Sequence, residues 1–197
     1  MHALIKNFIQ SERLPASFVA VAQDYYLPLA EQVAGWHLEV DAPLGVAING
    51  GQGTGKSTLA RLMSVYLSEQ YGLRNIVLPL DDFYKTKAER LELGASVHPL
   101  LATRGVPGTH DLKIGMECAK TCLGYENKST TIPRFEKETD DRAPSNQWCT
   151  VDAAFDVVIL EGWCVSAVAE SESAMGIALN DLDRDEDSDG IWRSSVN

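Results

Sequence analysis

Apolar residues change their spacing several times along the chain, and those changes mark out the elements. Through about residue 36 they recur at helical spacing: Phe8 and Ile9, then Phe18, Val21 and Ala22, then Tyr25 and Leu29, with Pro15 and Pro28 dividing the stretch. Residues 44–49, Leu-Gly-Val-Ala-Ile-Asn, form instead a short apolar run between Pro43 and Gly50, the pattern of a parallel strand buried on both faces. The helical period returns over residues 56–70, where Leu59, Leu62, Met63, Tyr66 and Leu67 share a face and Gly72 supplies a stop. Residues 75–80 and 155–160 repeat the buried-strand pattern. Between them, the Pro- and Gly-rich residues 97–109 read as a loop, residues 112–123 as a helix capped by Asp111, and residues 130–133 as a short strand.

Strand, helix, strand, loop, helix, strand is the order of an α/β fold. It predicts an open, mostly parallel sheet with helices on both faces, preceded here by an N-terminal helical segment. The 197 residues make one domain, with residues 1–40 as the helical extension and 41–197 as the core. Few apolar residues follow the third strand. The expectation is therefore a core lacking its C-terminal part, with an apolar sheet edge open to self-association.

Charge narrows the partners. With 28 acidic and 17 basic residues the net charge is −11, which disfavours a nucleic-acid partner. Cys118, Cys122, Cys149 and Cys164 include no C-x-x-C pair and read as ordinary thiols of a reducing compartment. No apolar run approaches the ~20 residues of a membrane span, and the N-terminus lacks the core and cleavage site of a signal peptide. These features predict a cytoplasmic protein without a membrane partner.

The chemistry begins at Gly50-Gly51-Gln52-Gly53-Thr54-Gly55-Lys56-Ser57, a full match to G-x-x-x-x-G-K-S/T, with Thr58 following. A phosphate chain needs backbone N–H groups pointing at it. Glycines let the loop wrap closely, and the helix that opens there aims its positive end at the same point. Lys56 adds a point charge for the β- and γ-phosphates, and Ser57 a hydroxyl for Mg²⁺. Chance alone would produce the pattern in roughly one chain of this length in a hundred. Its position after a buried strand and before a helix is the context the motif demands, so ATP and Mg²⁺ are the expected ligands of a P-loop NTPase fold. Glu161, at the end of the third strand, is the second candidate for holding Mg²⁺. Asp81, in the Asp-Asp-Phe-Tyr turn after the second strand, falls at the same sheet edge. It is placed to accept a proton from a hydroxyl that attacks the γ-phosphate.

Together these elements resemble the kinases related to uridine kinase, phosphoribulokinase and pantothenate kinase. Arg104-Gly-Val-Pro-Gly-Thr-His-Asp111 is similar to the R-G-x-P-G-T-H-D loop of the D-glycerate 3-kinase family. Pro133-Arg-Phe-Glu-Lys137 with Asp141-Arg142, Glu161-Gly-Trp163 and Asp187-x-Asp-Gly-x-Trp-Arg193 fit the same family. Glu136 stands where that family more often has Asp, and the family's chains run on by about a third more. The resemblance implies an ATP-dependent kinase with a small, anionic, glycerate-like acceptor and with Asp81 and Lys56 as catalytic groups. It also implies that Asp82, Tyr84, Arg104, Thr109, His110, Asp111, Arg134, Lys137 and Arg142 lie around the acceptor or the phosphates.

Two alternatives stay open, a nucleoside kinase of the uridine type and a non-catalytic nucleotide-binding module. Others fall away. Asn127-Lys-Ser-Thr130 lacks the final Asp of a guanine-reading N-K-x-D, and no L-S-G-G-Q helix is present. Residues 185–190 imitate a calcium loop, but Val196 stands where its bidentate Glu is required.

Overall fold

The computed structural model describes residues 2–152 and 154–197. At its centre lie three parallel strands, β1 (Leu44–Asn49), β2 (Asn75–Pro79) and β7 (Val157–Gly162), in the order β1-β7-β2. Leu44 and Asn75 both register with Val157, so all three strands end at one edge. The last strand in sequence lies between the first two, and its residues alternate between two cores. Val157 and Ile159 face a cluster with α4 (Lys56–Tyr71) and the N-terminal helices. Val158 faces Leu78, Phe83, Cys118 and Cys122, the two cysteines lying on α6 (Leu112–Cys122).

The N-terminal segment is α1 (His2–Ser11), a short turn α2 (Phe18–Val21), a π-helical stretch over Ala22–Tyr26 and α3 (Leu27–Val40). Pro15 sits in the break between α1 and α2. Pro28 does not divide the helix as its sequence position suggests. It occupies the first turn of α3, where the preceding π turn has already changed the hydrogen-bond pattern that its missing N–H would disrupt. Leu4, Ile5 and Phe8 bury α1 in the first core, and the Tyr66 hydroxyl donates to Glu31 at 2.8 Å, tying α3 to α4.

Between β2 and β7 the chain is more ordered than its loop-like composition suggests. A 3₁₀ turn (Leu80–Phe83) follows β2. Helix α5 (Lys87–Ser96) then opens with a capping box in which Thr86 and Glu89 satisfy each other's backbone N–H groups. A 3₁₀ turn (Pro99–Ala102) lies inside the predicted loop. Beyond α6, β3 (Thr130–Ile132) pairs antiparallel with β6 (Cys149–Val151), and β4 (Phe135–Glu136) pairs with β5 (Asp141–Arg142) as a small hairpin. Short helices α7 (Glu172–Met175), α8 (Asp181–Asp185) and α9 (Ile191–Val196) complete the described chain. Within residues 185–190, Asp187 is buried and caps α9 by accepting the N–H groups of Trp192 and Arg193.

Among the described residues β1 and β2 are the sheet edges, and β1 leaves Gly45, Ala47 and Asn49 exposed. No described helix is long and apolar enough to cross a membrane.

Candidate active site

All three strands deliver their C-terminal ends to one place. From β1 the chain enters the glycine loop, where Gly53 and Gly55 adopt φ values of 78° and 85°. Those conformations are costly for any residue with a Cβ. The loop is braced internally, with the Thr54 hydroxyl donating to the Gly51 carbonyl at 2.8 Å and Gly50 N–H reaching Gly162 O at the end of β7. Helix α4 starts at Lys56 with no side-chain cap, so its first-turn N–H groups remain available for an anion. The Lys56 ammonium lies 3.5 Å from Gly51 O.

From β7 comes Glu161, buried at 6% exposure. Ser57 Oγ donates to its Oε1 at 2.7 Å, while Oε2 is buried without a partner. From the turn after β2 comes Asp81, whose Oδ2 lies 2.6 Å from Lys137 Nζ. A cavity of about 680 Å³ opens between these groups. Its lining combines the cradle residues Gln52, Gly53, Lys56 and Ser57 with Asp81, Tyr84, Lys137, Arg104 and Trp163. A second recess of about 920 Å³ shares Ser57, Asp81 and Lys137 and extends past Asp82, Arg134 and Glu161.

The remaining predicted residues do not line either space. Thr109 is fully buried, its hydroxyl accepting from Gly105 N–H and donating to Val106 O, so it shapes the loop that carries Arg104. Asp111 caps α6 and holds Arg142, whose guanidinium also donates to Tyr84 O at 2.8 Å. Burial would raise the Asp111 carboxyl, but the Ile114 N–H and the Arg142 charge bring it below its ordinary range. Asp82 faces the second recess but accepts the Phe135 N–H at 3.0 Å, tying the hairpin to the 3₁₀ turn, and burial pushes its carboxyl up. Among the cations, Arg104 pairs with Asp140, Lys137 with Asp81 and Arg142 with Asp111. Arg134 has no acidic partner among the described residues.

No family model matches the chain. The "Probable ATP-dependent kinase TDA10" of Saccharomyces cerevisiae is 32% identical over 152 residues, covering 71% of this chain and 51% of that protein. The "Uncharacterized kinase mug58" of Schizosaccharomyces pombe is 33% identical over 130 residues, covering 62% and 47%. Among solved structures, the YGR205w protein superposes with a TM-score of 0.66 at 28% identity, covering 87% of this chain and 62% of that one. D-glycerate 3-kinase from Cryptococcus neoformans var. grubii gives 0.64 at 30% identity, covering 75% and 56%. The chain is similar to these kinases over most of its length and shares the P-loop kinase fold of the solved relatives. It spans about half the length of the curated relatives it matches.

In a P-loop fold the pairing of Ser57 with Glu161 fits a magnesium site. A hydroxyl and a carboxylate, with one buried carboxylate oxygen left unpartnered, suit a hard cation that keeps most of its water. Sequence reasoning missed three groups here. Trp163 entered only as part of the E-G-W run, yet it lines the cavity beside Gly105 at 45% exposure. Arg90 left no signal, because a charge on a short helix reads as solvated, and Asp140 read only as a surface acid with which an arginine of these loops could pair.

His110 stacks on Tyr84, with ring centroids 4.2 Å apart, and its buried Nε2 has no partner. Burial pushes its pKa down to about 4, against the pull of the Asp81 charge. The unfolded chain protonates this residue near ~6.5 while the folded chain keeps it neutral. Its contribution is therefore full above that value and is lost as pH falls toward 4, by roughly 3 kcal/mol at most. Denaturant unfolding at pH 7 and 4.5 should show wild type losing stability that His110→Gln retains. Asp82 titrates in both proteins and cancels in the comparison, so equal losses would contradict the assignment.

Proposed function

We propose that this protein transfers the γ-phosphoryl group of ATP, bound with Mg²⁺, to a hydroxyl of a small anionic hydroxy acid of the glycerate type. The observation that carries the reading is one shared cavity, lined both by the phosphate cradle and by the Asp81 carboxylate with the cations Lys137 and Arg104. D-glycerate 3-kinase as a solved relative supports the acceptor class.

In this reading the cradle N–H groups and Lys56 hold the β- and γ-phosphates, and Ser57 and Glu161 hold the metal. When bound, Mg²⁺ would offset negative charge on the phosphates. The acceptor enters between Tyr84 and Arg104, and its hydroxyl gives its proton to Asp81 as its oxygen approaches phosphorus. Asp81 begins paired with Lys137, so the two must separate as the acceptor arrives, releasing the Lys137 charge toward the transferring phosphoryl group. Arg104 offers a planar guanidinium to the acceptor's carboxylate. Trp163 and Val106 give the cavity an apolar wall that limits water beside the γ-phosphate.

The test is ADP release from MgATP across a panel of hydroxy acids, uncharged sugars and nucleosides. Release should depend on a carboxylate-bearing acceptor, with D-glycerate or a close homologue giving the highest kcat/KM. Release confined to nucleosides or uncharged sugars would replace the acceptor class.

A further inference from the structure

Arg90 lies on α5, away from the cradle, and its side chain is wholly buried. A buried guanidinium has to find partners for its N–H groups, and this one finds them in three segments. Nε donates to Lys85 O at 3.3 Å, just after the turn that carries Asp81. Nη1 donates to Ala102 O at 3.2 Å, two residues before Arg104. Nη2 donates to Asp140 O at 2.6 Å and lies 3.1 Å from Asp140 Oδ2, in the bend joining β4 and β5. Asp140 holds a left-handed φ of 57°, a backbone state that needs such outside support in a residue other than glycine.

The second carboxylate oxygen of Asp140 accepts from Arg104 Nη1. Arg90 and Arg104 thus share one carboxylate, and both guanidinium groups lie over the Phe135 ring, at 5.7 and 5.4 Å from its centroid. Burial works against the Asp140 charge, but the bonds from Arg104 and Arg90 bring its carboxyl below the usual range. Arg104 is held by one nitrogen and by the aromatic ring, and its side chain lines the cavity. An arginine serving only to knit the loops would be satisfied by the three carbonyls. The shared carboxylate adds a direct mechanical link to a cation in the site.

We propose that Arg90 is a positioning residue which, through Asp140, fixes the Arg104 guanidinium at the cavity mouth so that Arg104 reads the anionic end of the acceptor. This rests on the acceptor reading given above. Arg90 itself touches no substrate, and Asp140 is the link that passes its placement on.

The experiment uses Asp140→Asn, which keeps the shape and removes the shared charge, and Arg90→Lys, which keeps a charge and loses the fork. Each is measured for thermal unfolding, for KM and kcat with D-glycerate and MgATP, and for the rate at which phenylglyoxal labels Arg104, followed by peptide mass spectrometry. In Asp140→Asn the acceptor KM should rise about 10-fold, with kcat and the ATP KM within about two-fold of wild type, the pattern of a lost acceptor contact. Arg104 labelling should quicken several-fold while labelling of the exposed Arg134 stays constant. Arg90→Lys should shift in the same direction, and less. Both KM values rising together with a lower unfolding temperature, or an unchanged acceptor KM in a stable variant, would overturn the proposal and leave Arg90 as a structural residue. If wild type phosphorylates no acceptor, the kinase reading fails separately. Arg104 labelling then still decides the link, and an unchanged rate in Asp140→Asn overturns it.

Discussion

Asp81→Asn is expected to lower kcat by roughly 10²–10⁴-fold, the usual range for removing a positioned general base, with MgATP affinity near wild type. The substitution is isosteric, and the 3₁₀ turn that carries the residue is held by other groups, chiefly Asp82 on the Phe135 N–H and buried Phe83. What it removes is a proton acceptor facing the cradle and the anionic partner of Lys137. Neighbouring Tyr84 is not a substitute base at neutral pH, because burial, the largest cause of its raised phenol and one that the substitution leaves in place, favours the neutral form. Steady-state turnover at saturating ATP and acceptor is the measurement. Near-normal kcat would exclude Asp81 as the base.

Lys56→Ala should weaken MgATP binding by roughly 10–100-fold, the loss of one charge-assisted contact worth ~1.5–3 kcal/mol, while leaving the fold intact. The ammonium group makes one long contact inside the protein, 3.5 Å to Gly51 O, and otherwise ends in the cavity. Unfolding stability should therefore change by no more than ~0.5 kcal/mol. Calorimetric titration with MgATP separates the two effects. Equal affinity in the variant would mean that the glycine loop does not hold the phosphates through Lys56.

The elements legible in the sequence were those whose pattern has a single physical cause. A strand buried on both faces must be apolar throughout, and the central β7 was visible for that reason. The edge strands β1 and β2 carry the same short apolar run, although the outer positions of β1, Gly45, Ala47 and Asn49, are exposed and not buried as the pattern predicts. The cradle was legible because phosphate wrapping restricts residue types at fixed spacing, and Glu161 and Asp81 because parallel strands end together. The hairpin β4–β5 was not legible. Its strands are two residues each, too short for a period, and they are held by long-range bonds from Asp82, Arg142 and Arg90. The same limit explains why Thr109, Asp111 and Arg142 were placed beside the acceptor. A motif shows that a loop is restricted, but not whether a given side chain faces the ligand or the loop's own backbone. Arg90 marks the far end of that limit, since its partners lie 5, 12 and 50 residues away.

The central claim is that ATP and a small hydroxy acid meet in one cavity and exchange a phosphoryl group. Phosphorus NMR of the protein with MgATP and D-glycerate tests it most directly, because it shows where the γ-phosphorus goes. The account predicts a new phosphomonoester signal growing in step with ADP, absent without acceptor and strongly reduced in Asp81→Asn. ATP that stays intact, or that yields only inorganic phosphate at a rate indifferent to the acceptor, would contradict it.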